Sequence, residues 1–160
     1  MRISMSQFLS ALSTTAHSLA TTFFIGYYFI MAVLVLPNIS KGESTGYETL
    51  SRVSKQSRWW LYGSLAILAL TGAYLTFADP NYAGIGQFDT PWAILMLAKH
   101  IVIVLMILIG FWFNAIKRVG KGVLSTSNAA TAYLRFRGYI LTMSLLGLIV
   151  LILTGIGQTI

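Results

Sequence analysis

The sequence predicts an all-α integral membrane protein, a four-transmembrane-helix bundle built from two parallel two-helix hairpin repeats with both termini outside. Three observations predict it. Hydrophobic residues make up 56% of the 160-residue chain and charged residues only 9%, against about 25% charged in soluble domains. Four apolar stretches each reach the ~20 residues that a membrane helix needs. The basic residues are confined to two of the segments between them. With a mean hydropathy of +0.76, the composition excludes a soluble enzyme, a disordered chain and a nucleic-acid module.

The first helix is expected over 8–37, inside a charge-free stretch from Ile3 to Ser40, with its apolar body from Leu19 to Leu36 and its end at Pro37-Asn38. No small-x-small cleavage pattern follows a short apolar core, so this span is expected to be retained rather than removed as a signal peptide. The second helix is expected over 59–78, stopped by Asp79-Pro80, and the third over 91–115 with one charge inside it, Lys99. The fourth, over 138–160, is charge-free. These Val/Ile/Leu runs are continuous and too long to be strands of a membrane barrel.

Nine of the eleven Lys and Arg fall in the two loops expected at 38–58 and 116–137. They are Lys41, Arg52, Lys55 and Arg58 in the first, and Lys117, Arg118, Lys121, Arg135 and Arg137 in the second. The segment between Asp79 and Thr90 has none, so the positive-inside rule puts both basic loops in the cytoplasm. Trp59, Trp60, Tyr82 and Trp92 stand at span ends, where amphipathic rings favour the interface.

An internal repeat runs at an offset of 83: His17 maps onto His100, Arg52 onto Arg135, and Leu70-Thr71-Gly72 onto Leu153-Thr154-Gly155. With a one-residue slip, Ile25-Gly26-Tyr27-Tyr28-Phe29 matches Ile109-Gly110-Phe111-Trp112-Phe113. Parallel repeats are related by an axis along the membrane normal. The two histidines, the only ones in the chain, are thereby expected at one depth in the outer half, facing each other across the bundle with Thr71 and Thr154 nearby.

A histidine inside a membrane span needs an interior partner and is a functional hypothesis by default. Two facing imidazoles suit the axial positions of a b-type haem in a four-helix cradle. Gly26, Gly72, Gly110 and Gly155 would admit the flat macrocycle, Tyr27, Tyr28, Phe111 and Trp112 would line it, and Lys99 or Arg2 would meet a propionate. Close helix packing explains each glycine equally well. Copper is the alternative: Met96 and His100 are four residues apart on one helix face, and imidazole with thioether suits copper. The six methionines, however, form no close cluster. In the third reading the histidines only hydrogen-bond threonine or backbone and hold the bundle together. The chain has no cysteine, which excludes disulfides, thiolate metal sites, iron–sulfur clusters and covalent c-type haem. Its four acids, Glu43, Glu48, Asp79 and Asp89, all fall in expected loops, which leaves no intramembrane carboxylate for acid–base or proton-pumping chemistry.

The pattern Ala16-His17-x-Leu19, Val33-Leu34-x-Leu36-Pro37, Arg52-x5-Arg58, Leu70-Thr71-Gly72-x-Tyr74-Leu75 and Trp92-x3-Met96-Leu97-x-Lys99, followed by Asn114, resembles the copper-resistance D (CopD) domain family over nearly the whole chain. It is more distantly similar to HemJ-type haem-binding membrane proteins, with a histidine early in helix 1 and a lysine in helix 3. The resemblance implies a four-helix domain in a prokaryotic cell membrane, with copper handling in one branch and bound haem b in the other. His100 stands outside the copper family's pattern, and it turns the expectation toward haem. The expected function is therefore a haem b-binding protein with His17 and His100 as ligands, a small cytochrome b-like electron carrier or a subunit of a respiratory complex, without enzyme activity of its own. The alternatives are a CopD-type copper protein and a cofactor-free structural subunit of a membrane complex. The expected surroundings are lipid and other membrane subunits or a redox partner, and no nucleic acid.

Overall fold

The protein is described from a computed structural model, which covers residues 4–38, 44–82, 84, 88–120 and 129–159, without side chains at 44–48, 51, 115–120 and 129–130. Arg2, Lys41, Glu43 and Lys121 lie outside the described residues. Among the described residues every regular element is a helix and there is no strand. Helix α1 spans Met5–Ile30 and continues as one π-helical turn, Met31–Val35. Helices α2, α3 and α4 span Ser44–Ala78, Pro91–Gly120 and Ala129–Gly157. Each contains a stretch long and apolar enough to cross a membrane: Met5–Val35, Arg52–Ala78, Pro91–Asn114 and Thr131–Gly157.

Local chemistry sets the helix ends. Ser4 caps α1, its Oγ accepting from the Gln7 N–H at 3.2 Å while the Gln7 side chain accepts from the Ser4 N–H at 3.0 Å, a reciprocal capping box. At the far end Pro37 has no N–H to continue the ladder. The chain takes a wider turn there: the Leu36 N–H donates to Met31 O at 2.9 Å, five residues back, and the Asn38 side-chain amide donates to Leu34 O at 2.6 Å. Thr90 caps α3, accepting from the Ala93 N–H at 3.2 Å, with Pro91 at the first helical position, where its missing N–H costs nothing.

The bounds at Ala78 and Pro91 fall where the sequence puts them. Helices α2 and α4 start earlier than expected, and α2 takes in Glu48, Arg52, Lys55 and Arg58 while α4 takes in Arg135 and Arg137. Much of the two expected basic loops is thus helix. Hydropathy marks where a helix leaves the bilayer, whereas a helix ends only where a breaker or a cap stops it, and no proline interrupts these charged extensions.

The helices adjoin in the order α2, α1, α4, α3, with α2 also touching α4. Among the described residues no Cα of α3 comes within 8 Å of one of α1 or α2, so the backbone of α3 packs against that of α4. The core lies at the end that carries the α1–α2 and α3–α4 connections, where Met31, Leu50, Phe136, Ile140 and Met143 are almost fully buried. Gly147 lets α1 close on α4: a Cβ there would stand 2.9 Å from the Ile25 Cγ2. At the opposite end, where α1 and α3 begin, outward Leu, Ile and Phe side chains dominate, as suits a lipid-facing surface.

Candidate functional site

Depth at the histidines is set by Tyr139 of α4. Its hydroxyl lies 2.9 Å from that of Tyr28 on α1, and its ring stacks on Phe113 of α3 with centroids 4.0 Å apart. Tyr28 and Phe113 therefore share a level. His17 is eleven residues before Tyr28 and His100 thirteen before Phe113, so at 1.5 Å per residue both stand on the same side of those aromatic contacts, about 16 and 20 Å along their helices.

Their directions differ. His17 is half-buried between α1 and α2, with Nδ1 2.9 Å from the Thr71 Oγ1. The Thr71 hydroxyl proton is already committed to the Ile67 carbonyl at 2.6 Å. A hydroxyl has one proton to give, so Thr71 accepts from His17. In the neutral imidazole the proton is then on Nδ1 and the lone pair on Nε2. Gly72 completes the seat, since a Cβ at that position would stand 3.3 Å from the His17 Cε1. Lys99, half-buried on α3, is near enough to His17 for its charge to act on the ring.

His100 is exposed on α3, and its Nδ1 donates to the Met96 carbonyl of its own helix at 2.6 Å. The expected face-to-face pair is not formed: α1 and α3 do not adjoin, and the His100 ring is satisfied locally. Met96 does share a face with His100, but through its carbonyl oxygen. The Thr154 hydroxyl donates to the Val150 carbonyl at 2.8 Å, and a Cβ at Gly155 or Gly26 would meet nothing within 4 Å. Gly110 is nine residues nearer the connections than Ile101, beside the Tyr139 hydroxyl, 3.8 Å from its would-be Cβ. Of the expected set, the structure brings His17, Thr71 and Gly72 into contact, while His100 and Thr154 bond carbonyls of their own helices. Among the described residues no three His, Asp or Glu side chains group as metal ligands.

A second polar feature escaped the sequence reading. At the connection end a cleft of about 640 Å³, its open mouth included, lies among the four helices. Tyr27, Tyr28, Tyr62, Tyr139 and Asn114 bring polar atoms to it, and Arg58 reaches it as well. The available signal was tyrosine inside apolar spans, where a hydroxyl needs a partner. Read singly, those residues pass as interface rings and helix caps. Comparison with family models, with curated proteins and with solved structures returns no match for this chain.

Proposed function

We propose that the chain is a membrane-embedded haem b-binding protein, a small cytochrome b-like electron carrier or the haem-bearing subunit of a larger membrane complex, with His17 as the axial ligand. The observation that supports this is the hydrogen-bond order Nδ1–H (His17) to Thr71 to Ile67. Metal-ligating histidines characteristically donate their other ring N–H to a fixed acceptor, which sets tautomer and ring orientation. Thr71 supplies that acceptor, and Nε2 keeps the lone pair. Lys99 favours haem over a bare copper ion, because an ammonium near the ring repels a cation and attracts a propionate carboxylate. The donor set fits one histidine ligand per chain. This reading uses His17 alone, because the His100 ring is exposed and its Nδ1–H is taken by the Met96 carbonyl of its own helix.

Haem bound there supplies a one-electron couple, while the chain's own residues orient the ligand ring and place a positive charge beside it. The basic ends of α2 and α4 face the cytoplasm in this reading, by the positive-inside rule. Both termini and the segment before Pro91 then face outside a prokaryotic cell membrane, and the two hairpins are parallel repeats with the His17 level in the outer half. The test is the visible spectrum of the purified protein. We expect a Soret band characteristic of single-histidine ligation, lost in His17→Ala and retained in His100→Ala. A colourless wild-type protein, or a spectrum that His17→Ala leaves intact, overturns the proposal. Stoichiometric copper in a colourless preparation would point to the copper alternative instead.

A further inference from the structure

The cleft at the connection end is independent of the His17 site, from which Tyr28 is separated by eleven residues, roughly 16 Å along α1. Its shape is set by how the helices adjoin. Among the described residues α2 and α3 have no Cα pair within 8 Å, yet both line the cleft. One bond spans the gap, from the Asn114 amide of α3 to the Tyr62 hydroxyl of α2 at 3.4 Å. The side between α2 and α3 is therefore the one that close backbone packing leaves open among the described residues.

Hydrogen-bond accounting says what the cleft offers. Tyr28 and Tyr139 share one bond; whichever donates, the other keeps a proton with no acceptor among the described residues. Tyr62 accepts from Asn114 and likewise keeps its own. Both Asn114 N–H groups are engaged, one by Tyr62 and one by the Gly110 carbonyl at 3.0 Å, so its Oδ1 is left as an acceptor. The cleft thus presents O–H donors at Tyr62 and at the Tyr28–Tyr139 pair and one amide acceptor at Asn114, beside a Tyr27 hydroxyl that is engaged with Ser54 and Ser57. The Phe113–Tyr139 stack, with ring planes 1° apart, gives it a flat aromatic wall, and Leu61, Leu65, Met106 and Ile107 make apolar walls. Arg58 is the one cation and no carboxylate is present among the lining residues.

We propose that this cleft binds the head of a membrane-soluble quinone. The ring lies against the aromatic wall with its carbonyl oxygens accepting from Tyr62 and the Tyr28–Tyr139 pair, and its tail leaves between α2 and α3. The Asn114 Oδ1 is placed to accept from a hydroxyl of the reduced form. Neutral donors suit a carbonyl head, whereas a phosphate head calls for more than one cation.

The experiment is equilibrium binding of decylubiquinone and of menadione to the purified full-length protein in phosphatidylcholine nanodiscs. We expect saturable binding at one site per chain, weakened about 3- to 10-fold in Tyr62→Phe, which removes the donor to the quinone and also the acceptor of the Asn114 amide, so helicity and thermal unfolding are checked for this variant as well. Ile107→Trp, which fills the cleft, is expected to abolish binding, with helicity and thermal unfolding checked alongside. His17→Ala is expected to bind the quinones as wild type does, so failure of the haem proposal and failure of this one are read separately. Absence of saturable binding overturns the inference, as does binding indifferent to both Tyr62→Phe and Ile107→Trp. Displacement of the quinones by phosphatidylglycerol, with Arg58→Gln as the weakening variant, also overturns it and identifies an anionic-lipid site.

Discussion

The α1–α2 and α3–α4 hairpins carry the same residue types at a constant spacing and use them differently. In the first, His17 reaches across to Thr71 and lies over Gly72. In the second, His100 turns back on the Met96 carbonyl, Thr154 bonds only the Val150 carbonyl, and Gly155 faces open space. A polar side chain in a membrane helix has two ways to satisfy its donors: a neighbouring helix, or the carbonyl one turn back on its own. Which one it takes depends on what lies beside it. Helix α1 packs between α2 and α4, whereas among the described residues the backbone of α3 approaches only that of α4; His17 meets Thr71 on α2, and His100 bonds its own backbone.

The sharpest way to break this comparison is the pair of histidine variants. His17→Ala is expected to lose the haem spectrum entirely and His100→Ala to keep it, whereas equal loss would restore the two-histidine site. Next in size are the glycines. Gly72→Leu drives a side chain into the His17 ring, and overpacking of this kind costs about 1–3 kcal/mol; Gly155→Leu, facing open space, is expected to change little. Unfolding in mixed micelles compares the two, and equal losses would show that the second hairpin is as closed as the first. The threonines should give the smallest difference. Thr71→Val removes an interhelical bond worth about 0.6 kcal/mol on average and at most ~1.7, whereas Thr154→Val removes only a bond to its own helix. A Thr71→Val protein as stable as Thr154→Val, with an unaltered spectrum, would remove the orienting role assigned to Thr71.

The two ends of the molecule differ as well. Near the connections, α1 and α4 pack Met31, Phe136, Ile140 and Met143 almost completely out of contact with the surroundings. Around the histidines little is buried besides Ala20, Val150 and Trp92. In a bilayer, helix association rests on close packing and interhelical hydrogen bonds rather than on removing apolar surface from water. The His17–Thr71 bond therefore has a structural part to play where packing is thin.

Much of the candidate site was legible along the chain. That His17 and His100 both stand in the first half of their helices is legible by counting residues, because rise per residue is fixed once a segment is helical. Thr71 and Gly72 as companions of His17 followed from the same reasoning. Azimuth was not legible: a 100° turn per residue puts a side chain toward or away from a neighbour only after the neighbour's position is known. Tyr62 and Tyr139 illustrate the same gap. Each is an ordinary span-end tyrosine until α4 brings Tyr139 to Tyr28 and the gap between α2 and α3 opens beside Tyr62.

The sequence by itself determined that four helices are long and apolar enough to cross a membrane, where Pro37, Asp79-Pro80 and Thr90-Pro91 interrupt them, and at what height each polar residue stands. Those properties depend on local composition and on a constant rise per residue. Only the tertiary structure decided that the backbone of α3 stands apart from that of α1, that one histidine is seated against a neighbouring helix and the other is not, and that a polar cleft forms among the four helices at the opposite end. Lateral packing between apolar helices is chosen by a few close approaches, such as Gly147 against Ile25 and Gly72 against His17, and such approaches leave no periodic mark on the sequence.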